Sequence, residues 1–427
     1  MTRSIFYMTY NGVFNNTNGI GTQTKTFLSG IDRHYVALAS EFGEFDVHLV
    51  APEPSTTWWG YSETDLAYAR DVVRRYGGGL HFCPYPADAG EFWSRSAWLA
   101  VSTAAARLVL DQAGRYTHTL AIANDIPFLH APRIIARTEA TLLDRVRAVI
   151  ALYGSSYIHT PDAVDPERLA WETTGLAAAS PSPTVRVADV GDFISAHLAD
   201  RYGVPPASFV PYRSSLNLAH PDYCPMEPSA VAAVLRRHEI PEDRALVLAF
   251  GRADRIKGFD LLLHALKDVR ERIHLVLNVV PYTHDDPLLA EYRALIRRYR
   301  LPASLFTTYS RELPRAVSQW HNTRAVVCPS RGEPLSNIPF EVSLWARHEG
   351  AVLVCADRDG YREQIESGVN GLLFAPEDAE ALAATLGFAL DMGEPERRRM
   401  RQSAYAKVLR ERDFYTNFRE TLTCLWR

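Results

Sequence analysis

Short apolar runs alternate with longer stretches of helical period along nearly the whole chain. In the first half, continuous apolar runs predict strands at Ser4–Thr9, Phe45–Ala51, Leu80–Pro84, His118–Ala123, Ala148–Leu152, Val185–Val190 and Ser208–Tyr212. Apolar positions three and four apart predict helices at Gln23–Phe42, Thr64–Tyr76, Ser94–Ala113 and Phe193–Tyr202. The pattern restarts in the second half, with strands expected at Ala245–Phe250, His274–Val279, Leu305–Thr308, Ala325–Pro329, Ala351–Ala356 and Gly371–Phe374. Helices are expected there at Asp260–Val269, Pro287–Tyr299, Glu312–His321, Asn337–Ala346, Tyr361–Ser367 and Glu377–Leu390. Strands that alternate with helices and are apolar end to end predict parallel sheets covered on both faces. Between the halves, Asn217–Pro228 is rich in proline and lacks a period, so a linker is expected near 215–228. The Ser/Pro-rich stretch Gly175–Thr184 reads as a loop.

Length fits this division, since 427 residues exceed one ordinary core and suit two domains. The 47% hydrophobic and 22% charged residues are ordinary for a globular protein, and a net charge of −4 argues against a general nucleic-acid binder. The five cysteines are odd in number and contain no Cys-x-x-Cys, which reads as free thiols in a reducing compartment and suggests no metal site. The opening MTRSIFYMTYNG reads as a first strand, and no apolar run reaches membrane-span length. A soluble cytoplasmic protein with no integral membrane segment is the expectation.

Three stretches carry candidate chemistry. Phe250–Asp260 leaves a strand, turns at Gly251, shows Arg252 and Lys257, and turns again at Gly258 before a helix. A guanidinium fork and an ammonium both suit phosphate oxygens, although a solvated basic loop reads equally well from these residues alone. After the first strand, Gly19 and Gly21 allow a tight turn, and Thr22 is expected to cap the following helix. Position 24 is Thr where a dinucleotide fingerprint has its third glycine, which disfavours NAD or FAD. The third stretch, Ser330–Glu341 (SRGEPLSNIPFE), puts Glu333 and Glu341 on either side of an apolar strand-to-helix corner. Carboxylates accept hydrogen bonds from vicinal hydroxyls, and the backbone N–H groups that start the helix suit a diphosphate.

Gly251–Gly258, Glu333–Glu341 and Asp359–Phe374, in that order, resemble the retaining enzymes of glycosyltransferase family 4. The family's E-P-F-G-L-V-P-L-E is here E-P-L-S-N-I-P-F-E, and E-Q-I-E-S-G-V-N-G at 363–371 matches its next block. The likeness is strong from Ala245 to Glu380 and weaker before Tyr212. It implies the GT-B fold: two Rossmann-like α/β domains facing across a cleft, with a C-terminal helix, here Arg412–Trp426, crossing back to the first. Domains of 1–214 plus 410–427, for the acceptor, and 215–409, for the nucleotide sugar, follow from it. It further implies that Arg252 and Lys257 hold the donor diphosphate, that Glu333 bonds the donor sugar, and that Glu341 bonds the ribose. Gly251 belongs to the same donor loop. Leu335, Ser336 and Asn337 would touch sugar and phosphate, Gly19 and Gly21 would pass near the phosphates, and Tyr309 and Arg311 would lie beside the base. No metal and no cofactor is implied beyond a UDP-, GDP-, ADP- or dTDP-linked sugar as donor.

The sequence departs from the family at Ser336, where a glycine is usual, and at Pro281. It also puts Tyr153 where the family's fifth strand commonly ends near a His. His159 lies six residues on and reads either as a substitute or as a loop residue. Asn124 and Asp125 end the fourth strand and suit an acceptor hydroxyl or a plain turn, and Trp58, next to Trp59, suits sugar stacking or packing. The expected activity is retaining transfer of a sugar to a hydroxyl of a small soluble acceptor in specialised-metabolite biosynthesis. A cyclitol-joining pseudoglycosyltransferase, a nucleotide-sugar epimerase and an inactive nucleotide-sugar-binding partner are the alternatives.

Overall fold

The structure is a computed structural model that describes residues 2–15, 19–55, 60–86, 92–138, 144–160, 163–179, 184–281 and 285–426. Trp58 lies outside them. The chain divides into two compact units: Met1–Leu218 with Arg412–Arg427, and Ala219–Glu411.

Unit 1 runs β1 (Arg3–Met8), α1 (Gly19–Phe42), β2 (Phe45–Pro52), α2 (Glu63–Arg75), β3 (Leu80–Cys83), α3 (Arg95–Ala113), β4 (Thr119–Asn124), α4 (Ala131–Ala136), β5 (Val146–Ala151), α5 (Ser156–His159), α6 (Pro166–Leu176), β6 (Val185–Asp189), α7 (Asp192–Tyr202) and β7 (Phe209–Pro211). Among the described residues the strand order is β3-β2-β1-β4-β5-β6-β7, and the paired strands are parallel. The central strands are buried on both faces because their side chains are apolar throughout: Ile5, Phe6, Met8, Leu120, Ile122 and Val149 are all inaccessible.

Unit 2 runs α8 (Pro228–Arg237), β8 (Ala245–Arg252), α9 (Phe259–Leu266), β9 (Ile273–Val280), α10 (Pro287–Tyr299), β10 (Ala303–Phe306), α11 (Glu312–Ser318), β11 (Thr323–Cys328), α12 (Asn337–Trp345), β12 (Val352–Ala356), α13 (Tyr361–Gln364), β13 (Leu372–Phe374), α14 (Ala379–Asp391) and α15 (Glu394–Glu411). Its described strands form a second parallel sheet in the order β10-β9-β8-β11-β12-β13. The final helix, α16 (Phe414–Trp426), belongs to unit 1. It buries Phe414, Phe418, Leu422 and Trp426 in that unit's core. Gly30 of α1 makes room for it, since a Cβ there would lie 2.3 Å from the Phe414 ring.

Several expectations need correction. Residues 219–227, inside the stretch expected as a linker, belong to unit 2 and are held by it. Arg315 holds the carbonyls of Pro221 and Cys224, the Met226 N–H donates to Gln319 Oε1 at 2.8 Å, and Trp345 Nε1 donates to the Asp222 carbonyl at 2.7 Å. Helix α1 begins at Gly19, so Gly19 and Gly21 are helical and Thr22 is inside the helix rather than its cap. The turn after β1 instead depends on Gly12, whose φ is +92° and whose Cβ would lie 2.6 Å from the Gly21 carbonyl oxygen. Gly251 does not turn: β8 continues through Gly251 and Arg252, which pair with Val279 and Val280. Gly175 and Leu176 are the last residues of α6, Ala177–Ala179 continue as a single 3-10 turn, and 180–183 lie outside the described residues. Of the five thiols, all free, Cys83, Cys328 and Cys355 are buried while Cys224 and Cys424 are exposed. No described helix is long and apolar enough to cross a membrane.

Candidate functional site

In unit 2 the strand order reverses between β8 and β11. Doubly wound sheets bind ligands at the carboxyl ends of the strands at such a reversal. Here β8 delivers Arg252 and Lys257, and β11 delivers the Ser330–Glu341 stretch.

Backbone contacts lock these two segments together. Gly258 sits at φ +66°, and a Cβ there would lie 2.1 Å from the Pro329 carbonyl oxygen. The Arg331 N–H donates to the Ile256 carbonyl at 2.6 Å, and its guanidinium grips both oxygens of Asp260 at 2.8 and 2.7 Å. Burial alone would raise the Asp260 pKa, but Arg331 holds it below the ordinary value. As a result Lys257 Nζ lies 2.5 Å from Glu333 Oε2. Arg252 remains at 3.9 Å from Asp254.

The third motif supports the corner from the other side. The Glu333 N–H donates to Asp359 Oδ2 at 3.0 Å, and Gly360 is pinned because a Cβ would lie 2.1 Å from the Pro334 carbonyl oxygen. Gln364 brackets Ser336, accepting its N–H at 3.4 Å and donating to its carbonyl at 2.7 Å. Asn370 in turn donates to the Gln364 carbonyl at 2.9 Å. Ser336 adopts φ −92°, ψ 135°, so a Cβ is tolerated, and its hydroxyl caps α12 at the Ile338 N–H. Leu335 and Asn337, on either side of Ser336, are partly exposed.

Glu341, on the second turn of α12, is buried. Arg311 reaches it at 3.3 Å and reaches Asp222 at 3.0 Å, while stacking over the Tyr223 ring at 5.2 Å. Burial pushes the Glu341 pKa up, and Arg311 opposes it without cancelling it. For Arg311, burial pulls the pKa down, but Glu341, then Tyr223 and Asp222, hold it above the ordinary value. Tyr309 stands exposed two residues before Arg311.

Unit 2 thus brings Arg252, Lys257, Gly258, Glu333, Ser336, Asn337 and Glu341 to the carboxyl ends of two adjacent strands and the segments that follow them. Sequence reasoning missed Asp222, Tyr223, Asp260, Arg331 and Gln364, which act through partners distant in the chain.

In unit 1 the order reverses between β1 and β4. Asn124 Nδ2 donates to the Met8 carbonyl at 3.0 Å. Asp125 follows with φ +64°. Its carboxylate accepts the backbone N–H groups of Ile126 and Tyr153, and Tyr10 Oη lies 3.4 Å from Oδ2. Burial raises its pKa to about 6, with Arg168 pulling it back and Glu172 adding to the rise. Tyr153 is also pushed far up, by burial first and then by Tyr7 and Asp125. His159 is folded onto its own turn, with Nδ1 3.0 Å from the Ser155 carbonyl and its ring packed over Gly154. The turn is held by Glu172, which is fully buried and accepts the Ser156 N–H on both oxygens at 3.0 and 3.1 Å.

The Glycosyl transferases group 1 family matches residues 233–407. The chain is similar to a D-inositol 3-phosphate glycosyltransferase of Xylanimonas cellulosilytica, at 28% identity over 189 residues, 44% of this chain. The aligned stretch spans 43% of that relative's length. Among solved structures it is similar to a sucrose-phosphate synthase of Thermosynechococcus elongatus, at TM-score 0.73 and 15% identity, covering 100% of this chain and 98% of that one. Anabaena HepE in complex with UDP and glucose matches at TM-score 0.69 and 16% identity, covering 99% and 100%. The catalytic domain of starch synthase IV from Arabidopsis thaliana, bound to ADP and acarbose, matches at TM-score 0.70 and 13% identity, covering 100% and 98%. The family match is confined to residues 233–407, and the solved structures show the fold alone: two Rossmann-like α/β units of the GT-B class.

Proposed function

We propose that this chain is a cytoplasmic glycosyltransferase that moves a sugar from a nucleoside-diphosphate donor to a hydroxyl of a small soluble acceptor, with retained anomeric configuration. The observation that carries the reading is the Lys257–Glu333 pair, 2.5 Å apart and locked by the Gly258–Pro329 approach at the strand-order reversal. An ammonium held beside a carboxylate serves a ligand whose phosphate and sugar hydroxyls are neighbours. Arg252, Lys257 and the backbone N–H groups that begin α12 bind the diphosphate. Glu333 accepts hydroxyls of the sugar, and Glu341 accepts those of the ribose.

The bond from the anomeric carbon to the phosphate oxygen breaks while the acceptor oxygen bonds to the same face of that carbon. The acceptor's proton passes to the departing phosphate. Arg252 and Lys257 stabilise the charge that grows on the diphosphate, with the greatest effect where water is excluded. Asn124, Asp125 and Tyr153 of unit 1 sit at the corresponding place in its sheet and are assigned to the acceptor. The neighbours in complex with UDP and with ADP support a nucleotide at this place in the fold and leave its base open.

Tyr153 favours a second reading. It stands where the resembled family's fifth strand commonly ends near a His, and a site without that group suits a partner protein that binds nucleotide sugar without turning it over. Incubation with UDP-, GDP-, ADP- and dTDP-sugars separates the two. Slow release of free sugar supports the transferase. Donor binding without release supports the second reading, and interconversion of the donor sugars overturns both in favour of an epimerase.

A further inference from the structure

The amino-terminal edge of the second sheet, at the other end of its strands from the donor loops, gathers positive charge. Helix α15 buries Arg397 and Arg401, whose side chains are 5% and 2% exposed. Among the described residues they share one carboxylate: Glu394 Oε2 lies 2.5 Å from Arg397 Nη2, and Glu394 Oε1 lies 2.6 Å from Arg401 Nη2. Arg401 also donates to the carbonyls of Gly350 at 3.0 Å and His348 at 3.4 Å, which lead into β12. Arg397 Nε, Arg397 Nη1 and Arg401 Nε are buried with no hydrogen-bond partner among the described residues. Unmet buried donors are unfavourable, and more so when charged.

A third guanidinium belongs to this edge. Arg324 is the second residue of β11, and Ala325 after it pairs with Val352 of β12, two residues past Gly350. The register therefore places Arg324 beside the turn that Arg401 grips. Arg324 is partly exposed and has no hydrogen bond or ion pair among the described residues. Burial lowers its pKa, Arg397 lowers it further, and Glu394 opposes both.

An ion pair that only braces a helix balances one cation with one anion. Here the guanidinium groups of Arg324, Arg397 and Arg401 face the single carboxylate of Glu394, which leaves positive charge over. A phosphate group carries about two negative charges near neutrality, and its oxygens match guanidinium forks. Glu394 is placed to yield to it. Its side chain is 52% exposed, so it lies between the buried arginines and solvent. It is the first residue of α15, where the Gly393 carbonyl accepts the N–H groups of Glu396 and Arg397. Turning the Glu394 side chain outward breaks no helix hydrogen bond and opens both Nη2 groups to a ligand.

We propose that Arg324, Arg397 and Arg401 form a second anion site on unit 2, for inorganic phosphate or a phosphomonoester, and that the Glu394 carboxylate is its built-in competitor. The site lies away from the donor loops and does not depend on the transferase reading.

The test is titration calorimetry with inorganic phosphate and with glycerol phosphate, at an ionic strength held constant with chloride. The full chain is used with Arg252→Ala and Lys257→Ala in every sample, which removes the donor loops as a source of phosphate binding. This parent should bind at least one of the two probes. Arg324→Gln should weaken that binding about tenfold, and Glu394→Gln should tighten it about tenfold because the internal competitor is gone. Glu394→Gln also leaves the buried guanidinium groups without an anion. Its thermal midpoint should therefore fall in chloride and rise with phosphate by more than the parent's does. If Glu394→Gln does not fold, the comparison of the parent with Arg324→Gln decides alone. A preference for the inorganic ion assigns the site to free phosphate, and a preference for the ester assigns it to a phosphomonoester. No binding of either probe by the parent and by Glu394→Gln, or equal affinity in the parent and both variants, overturns the proposal.

Discussion

Gly258→Ala tests how the two halves of the donor site are held in register. The added methyl meets two separate obstacles. At φ +66° the L-residue is in the left-handed region, which is unfavourable by about 1–2 kcal/mol. The Cβ would also lie 2.1 Å from the Pro329 carbonyl oxygen, a backbone atom that cannot swing aside. Overpacking of this kind costs about 1–3 kcal/mol. The expected loss is their sum, about 2–5 kcal/mol, against typical total stabilities of about 5–15 kcal/mol. Relaxation must move Lys257 away from Glu333, so nucleotide affinity falls as well. Urea denaturation followed by fluorescence reads the first effect through the midpoint at constant slope, and calorimetry reads the second. A loss under about 1 kcal/mol together with wild-type affinity would refute the register argument.

Three further outcomes are expected. A double-mutant cycle of Lys257→Met and Glu333→Gln on stability should show coupling of about 1–3 kcal/mol, because Glu333 is buried and loses the cation that lies 2.5 Å away, and strict additivity would deny the pair. Arg311→Gln should weaken nucleotide binding about tenfold at pH 7 and more at pH 5.5, since burial then raises the Glu341 pKa unopposed; Arg311→Lys should recover part of it, and a pH-independent loss would count against a role through Glu341. His48, on β2, is lowered to about 4 by burial and by His81, so between pH 6.5 and 4 the unfolded chain binds the extra proton and stability falls with pH; the wild type should lose about 2 kcal/mol from pH 7 to pH 5 through this group, and His48→Gln should flatten that limb.

The strands were legible because parallel strands are apolar along their whole length, and those expected lie within a few residues of those observed. Two of the helices that escaped notice carry polar groups on their buried sides. Helix α15 buries Arg397 and Arg401 against Glu394, which erases the apolar stripe that marks a helix. Helix α6 buries Glu172 for the same kind of reason. Residues 219–227 looked like a linker because Arg315, Gln319 and Trp345, which fix them, are 90 or more positions away. In the donor site the residue types were readable, but their meeting was not. Lys257 and Glu333 are 76 positions apart, and contacts such as the Gly258–Pro329 approach and the Arg331 N–H bond to the Ile256 carbonyl join their loops. The strain at Asp125 leaves no trace in composition, because Ala-Asn-Asp is also an ordinary turn.

The central claim is that the loops after β8 and β11 bind a nucleoside diphosphate through Lys257 and Glu341. Calorimetric titration of UDP, GDP, ADP and dTDP into the wild type, Lys257→Ala and Glu341→Gln tests it most directly. At least one nucleotide should bind the wild type, and its affinity should fall about tenfold or more in each folded variant. Failure of all four to bind the wild type, or equal binding by the two variants, would contradict the account.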